Sequence, residues 1–307
     1  MRFQISNQQS ITETLKKLSS GDTLILSDGI YHEKLEIWQD NITIQAEHPQ
    51  QAIISNKDYY HKIMPNHNEC NTFGTYTLYI GGNHITLDGL TIENQAVPSK
   101  IYGQAVALYV NGNDFRCLNC KISSAQDTLF TGPLPKDLLK RYEGFYDERH
   151  LKGAPTTQYY YHCQIIGDVD FIFGCSTALF EECDIITLDR SDNLPSYICA
   201  PAHALETPFG YLFYHCNLKG TTPTYLARPW RDYGCAAFIE CKLGTNILPL
   251  GFNKWNDTNR DQTARFYEYS PDSITNDREP WSHQLTKQEA QEYVLKFKQY
   301  FKNQSAI

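Results

Sequence analysis

A six-residue pattern recurs along the chain as CLNCKI (117–122), YYHCQI (160–165), FEECDI (180–185), FYHCNL (213–218) and FIECKL (238–243). Each copy reads apolar, any, polar, cysteine, polar, aliphatic, and LDGLTI (87–92) fits with Leu90 in the cysteine place. Alternation of inward and outward side chains is the mark of a short β-strand. Successive copies are separated by 30, 43, 20, 33 and 25 residues, so the unit repeats while the connections vary, as in a solenoid. The pattern predicts an all-β, right-handed parallel β-helix in which Cys120, Cys163, Cys183, Cys216 and Cys241 stack inward with Leu90. Small, apolar thiol side chains suit such an interior row.

The 307 residues hold no low-complexity linker, and the repeat makes them one domain, 1–307. A solenoid's end coils expose apolar faces and need covering. Two capping boxes announce short helices at the ends, Ser10 with Glu13 opening ITETLKKL and Thr286 with Glu289 opening KQEAQEYVLKFKQYF. In the second, Ala290, Tyr293, Val294 and Phe297 fall on one face. A net charge of -8 leaves no basic stripe for nucleic acid, and no apolar run reaches a bilayer's width. The opening MRFQISNQQSITETLKKL lacks a charged-then-apolar leader, which makes the cytoplasm the expected compartment unless a leader has been removed. Ten cysteines then stay as thiols. The CxxC in CLNC has a metal-cluster alternative, but a single pair on a strand is a weak metal signal.

The stretch GDVDFIFG (167–174) sets two carboxylates in an apolar run. Asp127 lies seven residues after Cys120, and Asp170 lies seven after Cys163. The two therefore occupy equivalent places on two coils. On neighbouring coils their backbones would lie about 4.8 Å apart, and carboxylates that close do not both ionise readily, so one becomes an acid and the other a nucleophile or base. The 43-residue separation requires a projecting loop within 131–158. A structural row, with both aspartates capping turns, is the other reading of the spacing. Gln126, Gln104, Arg228 and Trp230 supply amides, a cation that would hold a buried carboxylate ionised, and an aromatic platform for a sugar face.

GIYHEKLEI, GQAVAL, QDTLF, GDVDFIFG, YLARPW, and GFNKW with FYEY resemble, in order, the motifs of the pectin methylesterase family, carbohydrate esterases built on a right-handed parallel β-helix. The resemblance runs from about Ile11 to Tyr269. It implies that Asp170 is the nucleophile and Asp127 the general acid, then base. Gln126 and Gln104 would hold the oxyanion, Arg228 would orient Asp170, and Trp230 would line the sugar subsite. Phe130, Phe173 and Asp168 are the further expected substrate contacts. Four features depart from the family pattern: Asp168 stands where a small neutral residue or Thr is usual, Ala227 replaces a Gly, the family's pair before the second Trp appears here as GF in GFNKW, and the loop of 131–158 is long. Asp168, two residues before Asp170 on one strand, would share its face.

The implied reaction is hydrolysis of galacturonate methyl esters in homogalacturonan or oligogalacturonides, without cofactor or metal. A serine esterase would need GxSxG, which the chain lacks. An inverting β-helix glycosidase on acidic oligosaccharides would need carboxylates roughly 6.5–9.5 Å apart, and a carbohydrate-binding β-helix would need no acid pair at all.

Overall fold

The structure, a computed structural model, describes residues 1–141, 156–271 and 277–305. Strands of three residues or so follow one another around three faces, forming parallel sheets of eleven, seven and eight strands. The largest sheet runs from Arg2–Ile5 to His283–Gln284. One consecutive pair of coils shows the plan. The first has Phe115–Leu118, Lys121–Ser123 and Leu129–Thr131; the second has Thr157–Tyr161, Gln164–Gly167 and Val169–Gly174. Each strand pairs in parallel with its counterpart. The chain is a right-handed parallel β-helix, as the repeat predicts.

The six-residue pattern is not one strand, however. It is a corner between two sheets. Asn119, His162, Glu182, His215 and Glu240, each just before its cysteine, have φ between 52° and 56°, and Gly89 takes that place in the earlier copy with φ 69°. This left-handed residue shifts the alternation by one position, so the cysteine turns inward where an unbroken strand would turn it out. Left-handed backbone is unfavourable for most L-residues, by roughly 1–2 kcal/mol in a helix, and the exposed corner side chains tie to one another. Asn119 donates to Asp88 at 2.9 Å, His162 meets Glu182 at 2.6 Å, and His215 meets Glu240 at 3.3 Å.

The cysteine row is buried as expected, with Leu90 at its head. Its thiols donate to carbonyls of the preceding coil: Cys163 to Cys117 at 3.2 Å, Cys183 to Tyr160 at 3.4 Å, Cys216 to Phe180 and Cys241 to Phe213 at 3.3 Å each. Beside it runs an aromatic ladder. Tyr160, Phe180, Phe213 and Phe238 stack at centroid spacings of 4.7, 4.6 and 4.5 Å, within 11° of parallel.

At the N-terminus the helix Ile11–Leu15 turns Ile11 and Leu15 into the core. Ser10 accepts from the Glu13 N–H at 3.2 Å, and Glu33, from a later coil, takes the next free donors of the first turn, accepting from the Ile11 and Thr12 N–H groups. The C-terminal helix Lys287–Ser305 has the full reciprocal box between Thr286 and Glu289. Its predicted apolar face packs on the outer surface of the eleven-stranded sheet, over Leu179, Leu212, Ala237 and Ile239. It runs back along the flank until Ser305 meets Thr157 at 3.1 Å, and on the way Lys298 pairs with Glu181 at 2.6 Å. No helix among the described residues is long and apolar enough to cross a membrane.

Phe213→Ala removes the middle of the aromatic ladder and leaves a void between two flat neighbours. It is expected to destabilise the fold by about 3–5 kcal/mol, measured by denaturant unfolding; a loss under about 1 kcal/mol would show that the ladder carries little of the packing.

Candidate active site

The two aspartates of the register argument lie on consecutive coils. Leu129, Phe130 and Thr131 pair with Ile172, Phe173 and Gly174, and the Asp127 N–H donates to the Val169 carbonyl at 3.0 Å. The 43-residue separation is one coil plus an insertion after Thr131. Both aspartates are left-handed, Asp127 with φ 66° and Asp170 with φ 50°, which Asp tolerates better than most residues and which recurs at functional sites. Around Asp170 the pairing slips between Val169 and Ile172. The flanking glycines are spatial necessities: a Cβ at Gly167 would lie 2.2 Å from the Phe171 Cβ, and one at Gly174, φ 128°, would lie 2.1 Å from the Thr131 carbonyl oxygen.

Asp127 and Asp170 face a cavity of about 310 Å³ whose walls also carry Gln104, Gln126, Phe173, Arg228 and Trp230. Gln104 and Gln126 are bridged in parallel on adjacent coils, so the two carboxamides enter the cavity side by side. Arg228 grips Asp170 with two hydrogen bonds, Nε to Oδ1 at 2.8 Å and Nη2 to Oδ2 at 2.6 Å. This fork geometry matches a carboxylate. The guanidinium is itself held between rings, 3.8 Å from the centre of Tyr197 and 4.1 Å from that of Trp255.

The electrostatics separate the two acids. Burial raises Asp170 above the ordinary carboxylate range, and the Arg228 charge and hydrogen bonds oppose that rise. Asp127 has no such partner. Burial first, then the charge of Asp170, pushes it well above the usual range, with Asp168 adding to the effect. Of the two, Asp127 is therefore the acid held more strongly toward its protonated form.

Two expected substrate contacts are placed elsewhere. Asp168 is buried and absent from the cavity wall; it accepts from Ser99 Oγ at 2.5 Å and from the Val169 N–H at 2.6 Å. It sits at the corner before the strand, and the left-handed turn at Asp170 breaks the alternation that would have put both on one face. Phe130 is fully buried, wedged between Tyr109 at 4.5 Å and Phe173 at 4.9 Å. Its neighbour Phe173 does reach the wall.

Other residues around the site carried weaker signals. Trp255 lies within GFNKW, and its distance in sequence from Arg228 hid their stacking. Tyr197, in SYICAP, offered no signal at all. Leu138 and Arg141, on the helix Lys136–Arg141 of the insertion, also line the cavity. Asp137 ties that helix to Arg231 by bonds of 3.0 and 2.6 Å. The rest of the long loop, 142–155, lies outside the described residues.

The sequence matches the Pectinesterase family over residues 4–134 and 140–303. The chain belongs to the pectinesterase family. Pectinesterase 31 of Arabidopsis thaliana is 28% identical over 304 residues, covering 93% of this chain and 86% of that protein. Probable pectinesterase/pectinesterase inhibitor 64 of the same plant is 29% identical over 247 residues, covering 73% of this chain and only 37% of that longer protein. The structure of pectin methylesterase from carrot superposes with a TM-score of 0.76 at 20% identity, covering 92% of this chain and 87% of that one; this likeness shows the shared fold. As a pectinesterase-family member the chain is a carboxylic ester hydrolase.

Removing the guanidinium has a signed consequence for such a hydrolase. Without Arg228 the burial effect on Asp170 is opposed only by the smaller influence of the Arg190 charge, so its pKa rises further and the ionised form is lost at higher pH. In Arg228→Ala the acid limb of the pH–rate profile is expected to move upward, and Arg228→Lys to move it less. An unmoved limb in Arg228→Ala would mean that Asp170 is not the group titrating there.

Proposed function

We propose that the chain hydrolyses methyl esters of galacturonate units, with Asp170 as nucleophile and Asp127 as the group that moves the proton. The observation carrying this reading is the pair of carboxylates on adjacent coils, of which one alone is gripped by a guanidinium. Asp170 attacks the ester carbonyl carbon, forming a C–O bond, and the oxyanion is stabilised by the carboxamides of Gln126 and Gln104. Collapse breaks the bond to methoxide, which leaves as methanol with the proton of Asp127. Water then attacks the acyl-enzyme anhydride while Asp127 takes its proton. The galacturonate carboxyl departs from Asp170, loses its remaining proton to solvent, and the starting state returns. Trp230 and Phe173 give apolar surface for a sugar ring.

We place oligogalacturonides above polymer as substrate. The support is the insertion helix, latched by Asp137 to Arg231, which brings Leu138 and Arg141 to the cavity and narrows it there. Ten free cysteines, nine of them buried, favour a reducing compartment such as the cytoplasm, where short pectic fragments are the available form.

Methanol release from methyl-esterified oligogalacturonides tests the roles. Asp170→Asn and Asp127→Asn are expected to abolish turnover, and Gln126→Ala to lower kcat by about a hundredfold or more. Turnover surviving in both Asn variants would refute the mechanism. Release is also expected to be faster from short oligomers than from polymer; equal rates would remove the helix's part in choosing length.

A further inference from the structure

Asp168 is a buried acid that the mechanism leaves unused. Its contacts reach two neighbouring coils. Its own N–H donates to the Ala125 carbonyl at 3.0 Å, just before Gln126, and its carbonyl accepts from the Tyr197 N–H at 3.2 Å. Its side chain reaches instead toward the coil that carries Gln104, taking the Ser99 hydroxyl on Oδ2 while Oδ1 accepts the Val169 N–H. Ser99 opens the four-residue helix Ser99–Tyr102, which buries none of its residues. Ile101 is 71% exposed, and although the ring of Tyr102 packs on Tyr59 at 5.0 Å, little apolar burial holds the segment at its Ser99 end. Gly103 follows with φ 69°, and the next residue is Gln104, bridged to Gln126.

We infer that the Ser99–Asp168 hydrogen bond is a positioning tie: it fixes the half-buried segment 99–103 against the corner preceding Asp170 and thereby aims the Gln104 carboxamide at the oxyanion. This deepens the esterase reading and rests on it. The chemistry explains the residue type. A neutral small side chain at 168 offers no acceptor long enough to span two coils, whereas a carboxylate bonds both ways at once. The Arg190–Asp192 pair and Asp127 are the charged groups nearest Asp168; Arg190 is already paired to Asp192 by bonds of 3.0 and 2.5 Å, which leaves the tie to Ser99.

An oxyanion donor acts on the transition state and not on substrate binding, so loosening it lowers kcat and leaves KM in place. Ser99→Ala is expected to lower kcat about tenfold, a part of what a whole donor is worth, with KM and unfolding midpoint unchanged. Asp168→Ala should do at least as much. Asp168→Asn, which keeps an acceptor for Val169 and a donor for Ser99, should recover most of the loss. Because Ser99→Ala and Gln104→Ala act on one donor, their effects should fail to multiply in the double variant. The tie is overturned if Ser99→Ala has wild-type kcat, if its effect multiplies with that of Gln104→Ala, or if Asp168→Asn is no better than Asp168→Ala. Those outcomes with active wild type and inactive Asp170→Asn leave the esterase reading intact. A wild type that releases no methanol overturns both.

Discussion

Register between consecutive coils is the constraint on which the site depends. Parallel pairing fixes which residue of one turn stands beside which residue of the next, and one backbone bond, from the Asp127 N–H to the Val169 carbonyl, sets the acids in step. The same rule sets Gln104 beside Gln126. Four groups from three coils meet in one cavity, and only Gln126 and Asp127 among them are adjacent in sequence. An insertion after Thr131 leaves this geometry untouched because the strands on either side, Leu129–Thr131 and Val169–Gly174, still find each other.

Proximity alone would make the acids equivalent; the surroundings make them different. Both lose hydration on burial, which favours the protonated form. Arg228 returns that stabilisation to Asp170 through two bonds and to Asp127 only through space. The rings of Tyr197 and Trp255 pack against the guanidinium and restrict its movement away from Asp170. The division of labour thus rests on an aromatic pair as much as on the cation.

The cysteine spacing made the solenoid and the equivalence of Asp127 and Asp170 legible, because burial imposes one residue type on an interior row. The corners were not legible. A polar residue in the third place of FYHCNL reads as an outward strand position, and only its dihedral angles show that His215 turns the chain. The same blindness misplaced Asp168: strict alternation puts it on the face of Asp170, and the left-handed turn at Asp170 moves it off. Phe130 was misread for a related reason, since a motif names a segment and not the direction each side chain takes. Tyr197 was beyond reach because it meets Arg228 only when two non-adjacent segments stack.

The C-terminal helix bears on how the molecule comes apart. In a stack where each turn touches only its neighbours, the terminal turn is free to peel away singly, and loss proceeds stepwise. Here Ser305 and Lys298 of the C-terminal helix are fastened to Thr157 and Glu181, on strands laid down several turns earlier. No turn beneath that splint can detach until the splint itself lifts, so this half of the solenoid unfolds as one cooperative block and its mouth does not fray.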